Sequence, residues 1–311
     1  MRWASLYLHT PFCLRKCPYC DFYSLGQADA QLADYPDLLV RHLRLAASRG
    51  GWQGPFTTVF FGGGTPSLLS PDDVEFILET VDRTFGLTTG AEISLEANPG
   101  TLSRERLQGY RRAGISRLSL GVQSLNPGNL RFLERPHNLE DSRRAVEWAR
   151  ESDFHNLSLD LMFALPGQSL FALEEEVAAY LALGPDHLSC YGLNIEAGTP
   201  FEHRHRCGEF SLPDEDAYAN AFLFLDQKLG EAGLEHYEIS NYARPGYECR
   251  HNQRYWRRQE YLGVGAGAHS FSVSGWGVRW SVPGDLALYR AKLDPVSYTH
   301  LRAHETVLDL V

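Results

Sequence analysis

The sequence predicts an α/β fold in which repeated strand–helix units build a parallel sheet. Six short apolar runs alternate with amphipathic segments of helical length, an order that produces βαβ crossovers. The chain has 311 residues, 43% of them hydrophobic and 22% charged, which fits one large domain or a domain with an appendage. Six such units are enough to curve toward a barrel, where ligands lie at the carboxyl ends of the strands.

The predicted elements alternate regularly along the chain. The strands are expected at residues 6–10, 57–61, 92–96, 117–120, 157–161 and 187–191. The helices are expected at residues 35–48, 72–85, 104–113, 139–152 and 170–183. Start signals such as Ser70-Pro71-Asp72 and Ser103-Arg104 precede the second and third helices and support these boundaries.

Charge and hydropathy restrict the partners that the chain can bind. The 29 basic and 39 acidic side chains leave a formal charge of −10, which repels phosphate backbones and speaks against a nucleic-acid partner. No apolar run reaches the ~18 residues that a membrane span needs, so we expect no integral membrane protein. The first apolar run, Leu6-Tyr7-Leu8, is too short for a signal-peptide core. The sequence therefore predicts a cytoplasmic protein.

Three of the six cysteines lie close together near the N-terminus. Cys13, Cys17 and Cys20 form a C-x3-C-x2-C pattern after the first strand, at the edge of the sheet where ligands bind. Structural zinc takes four ligands, and the chain has no second C-x2-C unit. An iron–sulfur cluster held by three thiolates leaves one iron free to bind another molecule. The spacing favours such a cluster, with zinc or three unrelated thiols as alternatives.

Polar or glycine-rich segments follow the next strands at the same edge. Gly62-Gly63-Gly64-Thr65 follows the second strand, and consecutive glycines let a ligand approach the backbone closely; a tight strand–helix turn is the alternative. Glu96, Gln123 and Asp160 lie at or near the ends of later strands. A structural hydrogen bond explains any one of these residues as well as a ligand does. Because all three lie at equivalent positions at the carboxyl ends of the strands, together they favour a binding site.

These motifs resemble the radical S-adenosylmethionine (SAM) superfamily, and in particular its branch around oxygen-independent coproporphyrinogen III oxidase. The resemblance rests on Tyr7-Leu8-His9-Thr10-Pro11-Phe12-Cys13, the cysteine spacing, Gly62-Gly63-Gly64-Thr65-Pro66 and Gly121-Val122-Gln123-Ser124. It covers roughly residues 2–290 and implies a partial (β/α)6 barrel. Cys13, Cys17 and Cys20 are implied to hold a [4Fe–4S] cluster whose open iron takes SAM.

The resemblance also implies which other residues contact the cofactors. It assigns the methionine end of SAM to Gly63, Gly64 and Thr65, the nucleoside or a second ligand to Glu96, Gln123, Arg135 and Asp160, and further cofactor contacts to Tyr7 and Tyr19. The chemistry is coherent, since a reduced cluster can pass an electron to the sulfonium of SAM.

Two departures separate the chain from the oxidases of this branch. The oxidases carry a fourth cysteine where this chain has Phe22, and they carry a longer segment before the residue that corresponds to Tyr7. Both departures match the heme chaperones of the same family. This likeness implies heme as a further cofactor and heme-accepting apo-proteins, some of them at the membrane face, as partners. The alternative is oxidative decarboxylation of coproporphyrinogen III. Whether the chain is an enzyme stays open, and we expect no oxidase turnover.

A second motif supplies groups that suit heme. His251-Asn252-Gln253-Arg254-Tyr255-Trp256 matches an H-N-x-x-Y-W pattern typical of this branch, and heme takes an axial imidazole or thiolate together with aromatic contacts and cations. We therefore expect His251 to be a heme ligand, with Cys249 as a possible second one. A structural His–Asn turn is the alternative.

The expected organisation has three parts. Residues 1–195 form the radical SAM core, and residues 196–295 begin a C-terminal region that is truncated here. Residues 296–311 break the preceding pattern and resemble a translated sequencing adapter, so we expect a non-native tail. A genuine short tail is the alternative.

Overall fold

A computed structural model describes residues 5–26, 29–50, 52, 54–273 and 276–293. The expected non-native tail, residues 296–311, lies outside these ranges. The described strands are β1 (Ser5–Thr10), β2 (Phe12–Cys13), β3 (Leu25–Gly26), β4 (Phe56–Gly63), β5 (Leu87–Ala97), β6 (Arg117–Gln123), β7 (Leu157–Phe163), β8 (His187–Gly192), β9 (Glu235–His236), β10 (Asn241–Ala243), β11 (Tyr261–Val264), β12 (His269–Ser272) and β13 (Val278–Ser281).

The helices connect and cover these strands. They are α1 (Asp29–Leu32), α2 (Tyr35–Ser48), α3 (Pro71–Phe85), α4 (Arg104–Ala113), α5 (Pro127–Phe132), α6 (Leu139–Glu151), α7 (Leu170–Ala182), α8 (Pro200–Arg206), α9 (Glu215–Glu231), α10 (Arg250–Trp256) and α11 (Leu286–Leu293). The five helices and six strands predicted from the sequence are all present, with ends that shift by up to three residues. The exception is β5, which begins five residues earlier than predicted. None of the helices in the described ranges has both the length and the apolar character that crossing a membrane takes.

Six parallel strands form the centre of the sheet, in the order β1-β4-β5-β6-β7-β8. Helices α2, α3, α4, α6 and α7 lie in the connections between them, so the predicted run of six strand–helix units is confirmed. The sheet continues past both ends of this run. Strand β11 pairs parallel to β1, and β10 pairs antiparallel to β8.

Local signals explain where the helices begin and end. The hydroxyl of Ser70 and the carboxylate of Asp73 cap each other's backbone N–H groups at the start of α3, which satisfies donors that the first helical turn leaves unpaired. The hydroxyl of Ser103 accepts a hydrogen bond from the N–H of Arg106 at the start of α4. Gly114 ends this helix in the left-handed conformation, where glycine avoids the strain of a side chain. The strands between the helices bury long apolar runs on both faces, as parallel sheets do.

The C-terminal region packs a helix against the sheet. The carboxylate of Glu92, in the middle of β5, accepts hydrogen bonds from the backbone N–H groups of Arg250 and His251, both 3.0 Å away, at the start of α10. An anion at this position also complements the helix dipole. Helix α10 therefore packs against the first half of β4 and the middle of β5, and leaves the carboxyl ends free for the site.

Candidate functional site

A cavity of about 390 Å³ opens at the carboxyl ends of the central strands. It brings together nearly all of the residues that the sequence nominated. Among the residues that line it are Cys13, Cys17, Tyr19, Cys20, Gly63, Gly64, Thr65, Glu96, Gln123, Arg135 and Asp160. Tyr7 and His251 are absent from this lining. The cavity has the size of a small-molecule site.

The three clustered cysteines lie on one short loop that is closed at its base. The loop leaves β2 at Cys13 and returns at β3, whose Leu25 donates a backbone hydrogen bond to the carbonyl of Pro11. Between them, the N–H of Cys20 donates to the carbonyl of Cys17 at 3.2 Å and forms a turn. Burial raises the pKa of the Cys13 and Cys20 thiols, so these thiols stay protonated at neutral pH until a metal displaces the proton.

Arg135 ties the cysteine loop to the sheet. Its guanidinium donates to Cys17 Sγ at 3.2 Å, to the hydroxyl of Tyr19 at 3.3 Å and to the carbonyl of Gly121 at 2.8 Å. Its Nε is buried and has no hydrogen-bond partner. A buried cation with an unpaired donor makes this wall of the cavity suited to an anionic or electron-rich group.

Close packing at the end of β4 requires glycine at positions 63 and 64. A Cβ added at Gly64 would lie 2.6 Å from the carbonyl oxygen of Phe12 and 2.9 Å from Cys13 Sγ. Gly63 has φ of +115°, and a Cβ there would lie 2.7 Å from the ring of His9. Only glycine therefore lets the cysteine loop lie directly against the end of β4. The segment makes the tight turn weighed from the sequence, and Gly63 and Gly64 also line the cavity.

Two of the carboxyl groups that line the cavity, those of Glu96 and Asp160, lie at strand ends. Glu96 Oε2 accepts a hydrogen bond from the N–H of Gly63 at 3.2 Å, and Asp160 Oδ1 accepts one from the hydroxyl of Ser119 at 3.4 Å. Burial and the neighbouring Asp160 raise the pKa of Glu96 to about 8. Burial raises the pKa of Asp160 to about 6, against the lowering effect of Arg117 and Arg135. At neutral pH Glu96 therefore keeps its proton and Asp160 is ionised, and a cationic ligand would favour the ionised form of both.

Tyr7 lies behind the cavity wall. Its hydroxyl is 3.1 Å from His9 Nδ1, and its ring packs against Gly62 so closely that a Cβ there would be 2.8 Å away. Burial raises the pKa of Tyr7 well above its usual value. In this structure Tyr7 supports the wall and does not face the cavity, unlike Tyr19.

His251 does not reach the cavity. It is fully buried beneath β4, with Nδ1 2.8 Å from the hydroxyl of Thr58 and Nε2 2.8 Å from that of Tyr255. Burial lowers the pKa of His251 to about 3, so the ring is neutral. Because both ring nitrogens are hydrogen-bonded inside the protein, the expectation of a heme ligand does not fit this geometry, and the structural alternative does. Cys249 is also buried, with Sγ 3.8 Å from a carboxylate oxygen of Glu92.

Several lining residues were not singled out from the sequence. They are Asn98, Ser119, Met162, Tyr191, Asn194 and Glu196. Three of them could have been found from the strand period, since side chains two residues apart face the same side. Asn98 follows Glu96 by two positions, Ser119 precedes Gly121 by two, and Met162 follows Asp160 by two.

Comparison with known families and proteins identifies the family. Residues 7–180 match the radical SAM superfamily. The chain is 41% identical to the heme chaperone HemW of Haemophilus influenzae and 42% identical to that of Escherichia coli K12, in each case over 85% of this chain and 69% of the relative. The chain belongs to the HemW family of the radical SAM superfamily. It spans about two thirds of the length of these curated relatives.

A mitochondrial relative and a solved structure extend the comparison. The chain is 38% identical to radical S-adenosyl methionine domain-containing protein 1 of Danio rerio, over 86% of this chain and 60% of the relative. It resembles the solved structure of coproporphyrinogen III oxidase (HemN) of Escherichia coli with a TM-score of 0.79 and 24% identity, over 94% of this chain and 69% of that one. This likeness confirms the predicted fold.

The residues of the cavity fit the cofactors that the superfamily implies. Three thiols of one loop face a cavity that also holds the glycine wall, the two carboxyl groups and the unpaired Nε of Arg135. Thiolates are the ligands of [4Fe–4S] clusters, and carboxylates beside backbone N–H groups suit the cationic and polar parts of SAM. Within the described ranges, no three His, Cys, Asp or Glu side chains are gathered as ligands of a single metal ion.

Proposed function

We propose that the chain is a heme chaperone that holds a [4Fe–4S] cluster through Cys13, Cys17 and Cys20, binds SAM beside it, and binds heme for delivery to acceptor apo-proteins. The observation that carries this proposal is the arrangement of the three thiols, which line one cavity with Glu96 and Arg135. The relatives named as heme chaperones, at about 40% identity over most of this chain, support the heme function.

The residues around the cavity would each have a defined role. When bound, the cluster supplies an electron at low potential to the sulfonium of SAM. The backbone of Gly63 and Gly64 lets the methionine end of SAM approach the cysteine loop, with Thr65 beside it. The carboxyl groups of Glu96 and Asp160 would attract the cationic groups of SAM, and Glu96 would give up its proton on binding.

Arg135 and Tyr19 would keep the loop in position. The guanidinium of Arg135 links Cys17, Tyr19 and β6 through three hydrogen bonds, so the cysteine next to Arg135 is fixed before any cofactor binds. Gln123, which ends β6 with φ of +66°, faces the same cavity and can hydrogen-bond the nucleoside. Such preorganisation lowers the cost of ordering the site on binding.

The partners follow from the proposed chemistry. Heme-accepting apo-proteins, some of them at the membrane face, are proposed as clients, and the cytoplasm is proposed as the place of action. The −10 formal charge of the chain gives no support to a nucleic-acid partner. The family likeness to coproporphyrinogen III oxidase makes that reaction the second candidate, and Phe22, at the place of the oxidases' fourth cysteine, argues against it.

One set of assays separates the two candidates. Protein reconstituted anaerobically with iron and sulfide is loaded with hemin and mixed with apo-myoglobin, and heme transfer is followed in the Soret band. We expect stoichiometric heme binding and transfer, and no protoporphyrinogen from coproporphyrinogen III with SAM and a reductant. Cys17→Ser should lose the cluster, whereas Cys190→Ala, which removes a buried thiol of β8, should keep it. Protoporphyrinogen formation, or the absence of any heme binding, would contradict the proposal.

A further inference from the structure

The two residues that follow the C-terminal end of α5 both contact the cysteine loop, at different points. The guanidinium of Arg135 reaches Cys17 and Tyr19, as described above. Glu134, directly before it, instead forms an ion pair with Arg15, which lies between the first two cysteines of the loop. Glu134 has φ of +52°, a conformation that strains a residue with a side chain and that glycine usually adopts. A charged side chain at such a position points to a function for its carboxylate.

Glu134 also joins the cysteine loop to α8. Its carboxylate lies 3.4 Å from a guanidinium nitrogen of Arg204 on this helix. The guanidinium carbon of Arg204 lies 5.0 Å from the centre of the Phe201 ring and 5.8 Å from the centres of the Phe132 and Phe210 rings. Contacts of this kind hold the guanidinium in place and leave its nitrogens free to bind carboxylates. Glu134 is therefore bound between two arginines, one in the loop and one on α8.

Helix α8 contacts the second half of the same loop directly. The N–H of Phe201 donates a hydrogen bond to the carbonyl of Pro18 at 3.0 Å. A closed chain of contacts, which we call the loop clamp, therefore links both halves of the cysteine loop to α5 and α8. Its members are Arg15, Glu134, Arg204, Phe201 and Pro18. Residues 193, 194 and 196, in the segment before α8, line the cavity, so the loop clamp is continuous with the site.

We propose that Glu134 is a positioning residue for the iron–sulfur cluster, because through the loop clamp it keeps the cysteine loop closed against α5 and α8. The inference rests on the proposed cluster site and deepens it. A cluster leaves the protein only after its thiolates release it, and a loop that is held at both halves opens less often. Residues that orient metal ligands from outside have large effects on metal retention. Glu134 acts in this way through Arg15 and does not bind the cluster itself.

Removal of the cluster by an iron chelator under anaerobic conditions tests this role. In reconstituted protein, the cluster absorbance should fall about fivefold faster in Glu134→Gln than in the wild type, because two partly screened ion pairs are lost. Glu134→Gly removes the same carboxylate where the backbone suits glycine, so it should speed the loss equally without lowering the urea midpoint. Glu209→Gln is the matched control and should keep the wild-type rate. The Glu209 carboxylate pairs with the same Arg204 at 2.9 Å and stands outside the loop clamp.

Hydrogen–deuterium exchange of the cofactor-free protein supplies a second readout. Glu134→Gln should speed the exchange of backbone amides in residues 13–22 and leave that of β6 unchanged, because only the loop loses a restraint. Arg15→Gln should have the same effect. The double variant should exchange no faster than Glu134→Gln alone, since the two side chains act through one ion pair.

The outcomes separate this role from the proposed function. If the wild type holds a cluster and both Glu134 variants lose theirs at the wild-type rate, the role of Glu134 is overturned and the cluster site stands. An equal acceleration in Glu209→Gln would also overturn the role, because a general weakening of α8 would then be the cause. A wild-type protein that takes up no cluster would contradict the proposed function, and unchanged exchange of residues 13–22 in Glu134→Gln would then overturn the loop clamp as well.

Discussion

Replacing Glu96 by glutamine tests the electrostatics of the cavity in the cofactor-free protein. Burial raises the pKa of Glu96 from 4.5 to about 8, so the folded protein holds this proton more tightly than the unfolded chain does. The stabilisation is fully present below pH 4.5 and is lost as the pH rises through 8. A change of one in the pKa corresponds to about 1.4 kcal/mol. The rise in the pKa of Glu96 therefore corresponds to at most about 5 kcal/mol of unfolding free energy. Because the carboxyl lines an open cavity, water screens part of this, and we expect about 2–3 kcal/mol.

Urea unfolding followed by circular dichroism at pH 5.5 and pH 8.5 measures the effect. The wild-type protein should lose stability over this range relative to Glu96→Gln, in which the amide cannot ionise. The buried histidines titrate alike in both proteins, so they cancel in the difference. Glu147→Gln, at an exposed position of α6, is the matched control and should behave as the wild type. A Glu96→Gln variant with the pH dependence of the wild type would refute the reasoning.

Three further substitutions, with Gly230→Ala as a control in α9, test the packing of buried residues. Gly64→Ala should cost about 1–3 kcal/mol of unfolding free energy and lower cluster occupancy, because its Cβ meets backbone at 2.6 Å. Gly230→Ala in α9, where a Cβ meets nothing within 4 Å, should instead stabilise by about 0.5–1 kcal/mol; equal urea midpoints in the two would contradict this. His251→Ala should cost about 3 kcal/mol and leave heme affinity within about twofold, and a large loss of heme affinity would restore it as a ligand. Glu176→Ala should cost about 2–3 kcal/mol, because the hydroxyl proton of Ser124 and the backbone N–H of Leu125 lose their acceptor. Thermal melts unchanged from wild type would show that water replaces the carboxylate.

The local sequence pattern was sufficient to predict the central sheet and its helices. The helix at residues 104–113 begins after the capping Ser103 and ends before Gly114, and both signals depend on neighbouring residues alone. The cysteine spacing and the strand-end positions of Glu96 and Asp160 located the cavity, because carboxyl ends of parallel strands share one edge. Cysteine spacing and strand-end positions therefore located the cavity, whereas Tyr19 and Arg135 were assigned only through the family resemblance.

Contacts between distant segments could not be predicted in this way. The H-N-x-x-Y-W motif contains groups that suit heme, yet the same groups build a buried hydrogen-bond network when α10 lies beneath β4. Which of the two occurs depends on Glu92 and Thr58, which contact His251 from 159 and 193 residues away in the sequence. Strand β11 likewise pairs with β1 from the other end of the chain, and the hydrophobic pattern of neither strand predicts its partner.

The most direct test of the cluster is EPR spectroscopy of anaerobically reconstituted protein. After reduction with dithionite, the low-temperature spectrum of the wild type should show a [4Fe–4S]⁺ signal. This signal should change when SAM is added, because the iron without a cysteine ligand is free to bind SAM. Substituting Cys13, Cys17 or Cys20 by serine should each remove the signal, while Cys190→Ala should retain it. A wild-type protein with about four irons per chain and a signal indifferent to SAM, or a protein that takes up no iron and sulfide, would contradict the assignment.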